Sequence, residues 1–590
     1  MKLLTNVFLL FGSAFFLKVE CSTELLVHML TGFKLANVDY GFNIGVNTGR
    51  MGNARQAFPD LLDASGKMSD VELETALGQR LQKNAFGLML HLNDILKDRF
   101  DFLTLRALLK TIGGVVTIVV PPPDKIEPGS PSGCTECPTL ENVSGTKKPV
   151  CKHDPSRFHQ STMDAFNAFL QGYSSKAVVS IVEESDSASS VMKHYASSDP
   201  DGSTVNRYRL VSVGPKKISS FRSLNVHGIL KDHNDVATSK DTGGKGEQRD
   251  STKNPNTVPK PKIVIASHVD TFSLLQGYRS TATNNTGLIA LLELSRLLHG
   301  LDHMDYELIF LLTTGSVMNF YGAATFANNY AHIDNVELVI CLDDLTGPNL
   351  YLHSSSKASE ISSVFQRNLS RTVKETLNNA VKPDAQVLFF EHEQFTRQKV
   401  HAITLTTVRE SVAYPLRQNL FEYKCNSKAL SGHIANIFRA LAKTLRIGKV
   451  KVDSVDIANH VIDWESKLTS PRCTLNGDIY QDESVRAIIR FLTPLIKDLK
   501  TQKVNRSIPG FEFSYNTPMR ILFYKNYTML YHILVVVCSV VYIFVMWSLI
   551  RGSPLTAWTD IIATLNKVPS VPGEENSENR RSTRLSSKRK

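Results

Sequence analysis

The sequence predicts an α/β fold, and three observations carry that expectation. Ile263-Val264-Ile265-Ala266 is a short apolar run, β-branched at three of its four positions, which reads as a buried strand. Leu288–Leu298 (LIALLELSRLL) places Leu288, Leu291, Leu292 and Leu298 at helical spacing. Further apolar runs at Tyr306–Leu312, Val336–Leu342 and His401–Val408 alternate with helix-like stretches at Asn319–Tyr330 and Ala429–Leu445. The first strand ends in Ser267-His268-Val269-Asp270. A histidine and an aspartate therefore sit where a buried strand emerges ahead of a helix, the edge at which open α/β sheets build their sites.

Taken in order, Met1–Ser22 carries Lys2 and an apolar stretch from Leu3 to Leu17, with Val19 and Cys21 small enough for a signal-peptidase site. Residues 1–21 read as a cleaved signal peptide. Residues 22–204 read as an N-terminal α/β region. Gly113–Val120 is a strand stopped by Pro121-Pro122-Pro123, Ala177–Val182 is another, and the turn-rich segment 121–156 between them is an exposed insert. Tyr208–Val213 and Asn225–Leu230 continue the strand pattern, and the polar stretch 231–261, with Gly243-Gly244 and several prolines, reads as a mobile loop. Beyond the central strands, a polar helical segment is expected from Leu352 to about Ala380. Glu391-His392-Glu393 is expected in a solvated loop, and 448–528 as a mostly helical region. Met529–Ile550 is a stretch of 22 residues without a formal charge. At about 1.5 Å per residue it spans roughly 33 Å, one bilayer crossing. With the signal peptide it gives a type I protein, leaving 551–590 as a cytosolic tail.

Net charge is +11 over 590 residues, but only the last eleven form a basic run: Arg580, Arg581, Arg584, Lys588, Arg589 and Lys590. No nucleic-acid motif accompanies it, so the tail reads as solvated and no nucleic-acid partner is expected. Of eight cysteines, Cys21 lies in the signal and Cys538 in the span. Cys134-x-x-Cys137 lacks the second pair a zinc ribbon needs, so with Cys151 it reads as a local disulfide. Cys425 and Cys473 form a second candidate pair, and Cys341 lies in an apolar run as a buried thiol. Sequons mark Asn142, Asn284, Asn368 and Asn505 as glycan acceptors, whereas the one at Asn526 lies too close to the span.

Several stretches resemble the nicastrin-related branch of the M28 zinc-peptidase family in order and spacing. They are NVHGIL at 225–230, IVIASHVDTF from 263, TNNTGLIALLELSRL from 283, VELVICLDDL from 336 and FEHEQF from 390. The resemblance implies an M28 aminopeptidase-like mixed sheet over 205–447, flanked by helices. A co-catalytic site of that family takes a His, a bridging Asp, a Glu, an Asp and a second His as ligands, with a Glu as general base. On this chain His268 matches the first ligand, Asp270 the acid that orients it, and Asp343 a further ligand. Ala282 stands where the bridging Asp is required, Ser316 and Val317 where the Glu pair is required, and Arg409–Phe421 holds no histidine. The resemblance thus implies a scaffold with no catalytic residue, no bound metal and no cofactor, with Glu391, His392 and Glu393 the nearest other ligand-type groups. An active luminal zinc aminopeptidase is the competing reading. The resemblance further implies residence in the endoplasmic reticulum membrane. Its implied partners are Nodal modulator, a small multi-pass membrane protein, and the translocon with its ribosome-associated insertion machinery; receptor assembly and Nodal signalling are implied roles.

Overall fold

A computed structural model describes residues 23–30, 32–40, 48–53, 86–92, 115–120, 178–196, 207–211, 216–232, 260–272, 282–301, 305–355, 359–417, 425–448, 450–470, 472, 481–515, 519–524 and 529–551, with isolated positions at 559, 562 and 563. The signal peptide, the insert 121–156, most of 231–261, Cys134, Cys137, Asn142, Cys151 and Cys473 lie outside the described residues. The chain divides into two units, 1–200 with 205–524, and 201–204 with 525–590.

The first unit is organised on an eight-stranded mixed sheet. In chain order its strands are β1 (Ser220–Leu230), β2 (Lys262–His268), β3 (Glu307–Thr313), β4 (Val336–Leu342), β5 (Leu350–Ser354), β6 (Val373–Asn378), β7 (Ala402–Thr406) and β8 (Ile496–Ser507). Their spatial order is β6-β5-β7-β4-β2-β3-β1-β8. β2 lies parallel to β3 and β4, β4 parallel to β7, while β1 runs antiparallel to both β3 and β8. Every residue of β2 is buried, as a central strand covered on both faces requires.

Helices α1 (Ala282–Leu298), α2 (Tyr321–Asn329), α3 (Glu360–Leu369), α4 (His392–Arg397), α5 (Ser427–Thr444), α6 (Ser454–Lys467) and α7 (Glu483–Leu492) flank the sheet. Two apolar clusters fill the layers. One holds Leu288, Leu291, Leu292 and Leu298 of α1 against Ile263 and Ile265 of β2 and against α5. The other holds Val264 and Ala266 of the same strand against Phe326 of α2 and Phe395 of α4. Alternation along one strand thus serves two cores.

A closed barrel of Thr23–Met29, Met519–Tyr524, Arg207–Val211, Thr48–Asn53, Phe86–His91, Val115–Val120 and Val178–Glu183 lies in the same unit. The sheets do not follow the sequence divisions 22–204, 205–447 and 448–528, because this barrel draws strands from all three. A four-stranded sheet joins Val38–Tyr40, Phe33–Leu35, Phe511–Tyr515 and Lys216–Ile218.

Two expectations are corrected. The helical segment from Leu352 to Ala380 is instead β5, α3 and β6. The region 448–528 is helical only through α6 and α7, then continues as β8, Phe511–Tyr515 and Met519–Tyr524. Strand pairing with β1 overrides the helix-forming Lys, Gln and Leu of β8.

The second unit contains helix α8 (Met529–Arg551, 23 residues). Its side chains are described over 536–547 and at Ile550. Among the described residues no helix is long and apolar enough to cross a membrane. The stretch expected to span over 529–550 is present as a helix, and its crossing is a proposal.

Candidate functional site

The parallel strands β3, β2 and β4 end side by side, and their exits carry the site. His268 is the last residue of β2, in register with Thr313 at the end of β3, and Asp343 follows β4. All three side chains are buried. Helix α1 seals this floor. Gly287 lies so close to β4 that a Cβ there would stand 2.5 Å from the carbonyl oxygens of Leu342 and Asp343. The Thr286 hydroxyl accepts the Leu345 N–H at 2.9 Å.

Asp270 turns back to the loop after β3. Its carboxylate accepts the N–H groups of Gly315 and Ser316, each at 3.1 Å, and the Ser316 hydroxyl at 3.0 Å. Gly315 makes this turn with φ of +77°, a conformation that favours glycine. Burial raises Asp270 to about 6 against these hydrogen bonds. Ser316 therefore serves as a donor that secures a turn, and Val317 is packed into the apolar core.

The two surviving ligand-type groups are both taken. The Tyr414 hydroxyl lies 2.9 Å from Nε2 of His268, with the rings edge to face at 4.8 Å. Arg417 donates from Nη1 to Asp343. Its Nη2 donates to the Phe389 carbonyl at 3.1 Å, and its guanidinium lies over the Phe390 and Tyr414 rings at 4.9 and 5.4 Å. Burial opposes ionisation of Asp343, but Arg417 and His268 outweigh it and hold the carboxyl below its usual range. Burial lowers His268 to about 4, a shift that Asp343 resists and Arg417 reinforces. The imidazole is neutral at physiological pH, and its Nε2 faces a phenol.

Glu391, His392 and Glu393 are not solvated, which corrects the sequence expectation: all three are buried. Glu391 accepts from the Thr313 hydroxyl. Burial raises it to about 8, with Asp343 and Asp270 pushing the same way, so it is protonated at neutral pH. His392 sits 2.7 Å from Ser355 Oγ and 2.8 Å from Thr404 Oγ1, and burial lowers it to about 3. Glu393 accepts the Phe389 N–H at 2.9 Å. Glu391 thus ties the start of α4 to β3, and His392 ties it to β7 and to Ser355 after β5.

A second buried guanidinium belongs to Arg472. It donates to the carbonyls of Val269 at 2.9 Å and Leu468 at 3.3 Å, and to Asn285 Oδ1 at 2.5 Å. Burial lowers it to about 10, which leaves it charged.

Ala282 opens helix α1, and Asn284 lies in the first turn of that helix. Asn368 is in α3 and donates to Thr444 at 3.0 Å, whereas Asn505 is exposed on β8.

Tyr414, Arg417 and Arg472 escaped the sequence reading. Tyr414 and Arg417 lie inside Arg409–Phe421, which holds no histidine, and only the fold brings their phenol and guanidinium to His268 and Asp343.

The donor set does not fit a two-metal centre. Ala282, Ser316 and Val317 supply no carboxylate, and His268 and Asp343 are engaged by a phenol and a guanidinium. Among the described residues no three His, Cys, Asp or Glu side chains form a group that could hold a metal ion.

Residues 251–440 match Peptidase family M28. That stretch takes in the strand exits, α1 and the Tyr414–Arg417 segment. Among solved structures the chain is similar to nicastrin, a γ-secretase component, at 11% identity and a TM-score of 0.48, covering 85% of this chain and 100% of that one. It is also similar to a zinc aminopeptidase from Bacillus subtilis, at 10% identity and a TM-score of 0.27, covering 74% and 86%. An aminopeptidase from Aneurinibacillus sp. strain AM-1 matches at 12% identity and a TM-score of 0.26, covering 73% and 84%. Among curated proteins none matches.

Proposed function

We propose that the chain is a catalytically inactive M28-type scaffold of the endoplasmic reticulum membrane, of the nicalin kind. One observation carries the reading: His268 and Asp343, the two positions that keep a ligand-type side chain, are occupied by Tyr414 and Arg417. A general base contributes about 10²–10⁴-fold to such a hydrolysis, and Ser316 and Val317 cannot act as one. The luminal zinc aminopeptidase is disfavoured by the same contacts. The M28 match over 251–440 supports the domain type.

The membrane part of the reading rests on sequence and on α8. Its described side chains include Val536, Val540 and Ile543 at 61%, 59% and 65% exposure, an apolar surface that a lipid phase would solvate without penalty. On this proposal the chain works with Nodal modulator and a small multi-pass membrane protein at the translocon. There it assists insertion of multi-pass proteins and assembly of receptors, with an effect on Nodal signalling. The test is affinity purification of the full chain from detergent-solubilised membranes, followed by mass spectrometry, with a parallel preparation in which 529–568 is replaced by an unrelated helix and tail. Recovery of insertion machinery supports the reading, and loss of the small partner on replacement places its contact on 529–568. Absence of all such partners from the native chain would sink it.

A further inference from the structure

The two edges of the central sheet are finished differently. At one edge β6 is six residues long, and its Glu375 is held by Arg409 through contacts of 2.9 and 3.4 Å. At the other edge β8 is twelve residues long. From Lys500 to Ser507 it pairs in unbroken register with β1, His227 to Ser220, and among the described residues it pairs on that side only. This stretch contains no proline, and Lys500, Thr501, Lys503, Asn505, Arg506 and Ser507 are exposed.

Such an edge presents a row of backbone N–H and C=O groups that can accept another strand. Its side chains select the strand. Lys500 and Arg506 project from one face and Lys503 from the other, as period-two alternation dictates. Arg506 is anchored at 2.8 Å on the Tyr321 hydroxyl. Lys500 and Lys503 form no ion pair with a carboxylate among the described residues. A second copy of β8 would set lysine against lysine, a like-charge pairing that destabilises a sheet. A strand with acids on both faces reverses the sign of the same interaction.

We propose that the free edge of β8, over residues 500–504 and short of the sequon at Asn505, is a docking site for an extended acidic polypeptide segment that adds a strand to the sheet. The ladder supplies affinity and the lysines supply selection. The proposal deepens the scaffold reading by assigning it a partner surface, and it can fail while the absence of peptidase chemistry stands.

The probe is a fluorescein-labelled, N-acetylated decapeptide alternating glutamate pairs with valine–threonine pairs, which places acids on both faces of a strand, titrated with the full chain in detergent micelles and read by anisotropy. The control peptide has equal charge but proline in place of each valine and threonine, which removes ladder donors from whichever side of the strand would dock. Binding of the first peptide only, weakened at least tenfold by K500E/K503E and by raised salt, is the expected result. Failure of the alternating peptide to bind overturns the proposal. So does equal binding of both peptides, which would reduce the effect to unstructured charge attraction, or indifference to K500E/K503E, which would place the site elsewhere. Circular dichroism of the double variant, both positions being exposed, confirms that a lost signal is not lost folding.

Discussion

The strand exits and the loops that face them are secured by different means: the exits by close backbone packing, the loops by side chains that partner buried polar groups. At the exits of β2 and β4 the backbone is fixed by close packing, and His268, Asp270 and Asp343 are buried there. In the facing loops, Ser316, Tyr414 and Arg417 present a hydroxyl, a phenol and a guanidinium to that floor, and Val317 packs into the core. The floor keeps its polar residues because removing one partner from a buried pair is costly. The loops satisfy that floor from within the chain. The carboxylates and the imidazole of the floor thus each find a partner inside the chain.

The largest effect is expected at Arg417. Arg417→Ala leaves the Asp343 carboxylate buried without a counter-ion, and a loss of about 3–5 kcal/mol is expected. Adding Asp343→Asn removes the stranded charge and recovers part of it. Thermal and denaturant unfolding of the full chain in micelles measures both. A loss below about 1 kcal/mol for the single variant would show that the guanidinium is not the group that satisfies the floor.

Gly287 tests the packing half of the contrast. A methyl group there meets two carbonyl oxygens at 2.5 Å, and Gly287→Ala is expected to cost about 1–3 kcal/mol through strain. An unchanged midpoint would mean that α1 is free to shift off β4.

The titration of Glu391 sharpens the comparison further. Its carboxyl is raised to about 8 in the folded chain, against an ordinary value of 4.5. The folded state therefore binds the proton more tightly, and the stabilisation is complete below about 4.5 and lost as pH rises towards 8. His268, lowered to about 4, acts oppositely, but its contribution is complete above 6.5. Between pH 6.5 and 8 stability is expected to fall, by at most about 1.4 kcal/mol per pH unit for one proton. Glu391→Gln is expected to remove most of that slope, leaving what Glu393, raised to about 7, contributes. An equal slope in both proteins would assign the titration to another group.

Tyr414→Phe should have the smallest effect, about 1 kcal/mol, by removing one hydrogen bond from His268 while keeping the ring. A larger change would mean that the phenol does more than occupy a ligand's place.

Much of the sheet was legible because its signals are local. The β-branched run at 263–266 and the leucine spacing at 288–298 each define one element. β6 and β8 were not legible. VKETLN and IKDLKTQKVNRS are rich in helix formers and gain strand character from neighbours distant in sequence. The barrel was hidden for the same reason, since its first strand closes against Met519–Tyr524. Of the site, the strand-end places of His268 and Asp343 were legible. The engagement of His268 and Asp343 was not, because Tyr414 and Arg417 lie 146 and 74 residues away in sequence from the groups they contact. Glu391 and His392 were misplaced because charged residues beside Phe389 and Phe390 suggest solvent, whereas here hydroxyls from β3, β5–α3 and β7 receive them.

On the proposed reading, the metal positions at the strand exits are filled by the chain's own Tyr414 and Arg417. The most direct test of that reading is the zinc content of the purified full chain, after equilibration with zinc and exhaustive dialysis, measured by elemental mass spectrometry. No zinc above the level found for a His268→Ala/Asp343→Asn control is expected. Two equivalents per chain, lost in that control, would show that Tyr414 and Arg417 yield to metal and would contradict the account.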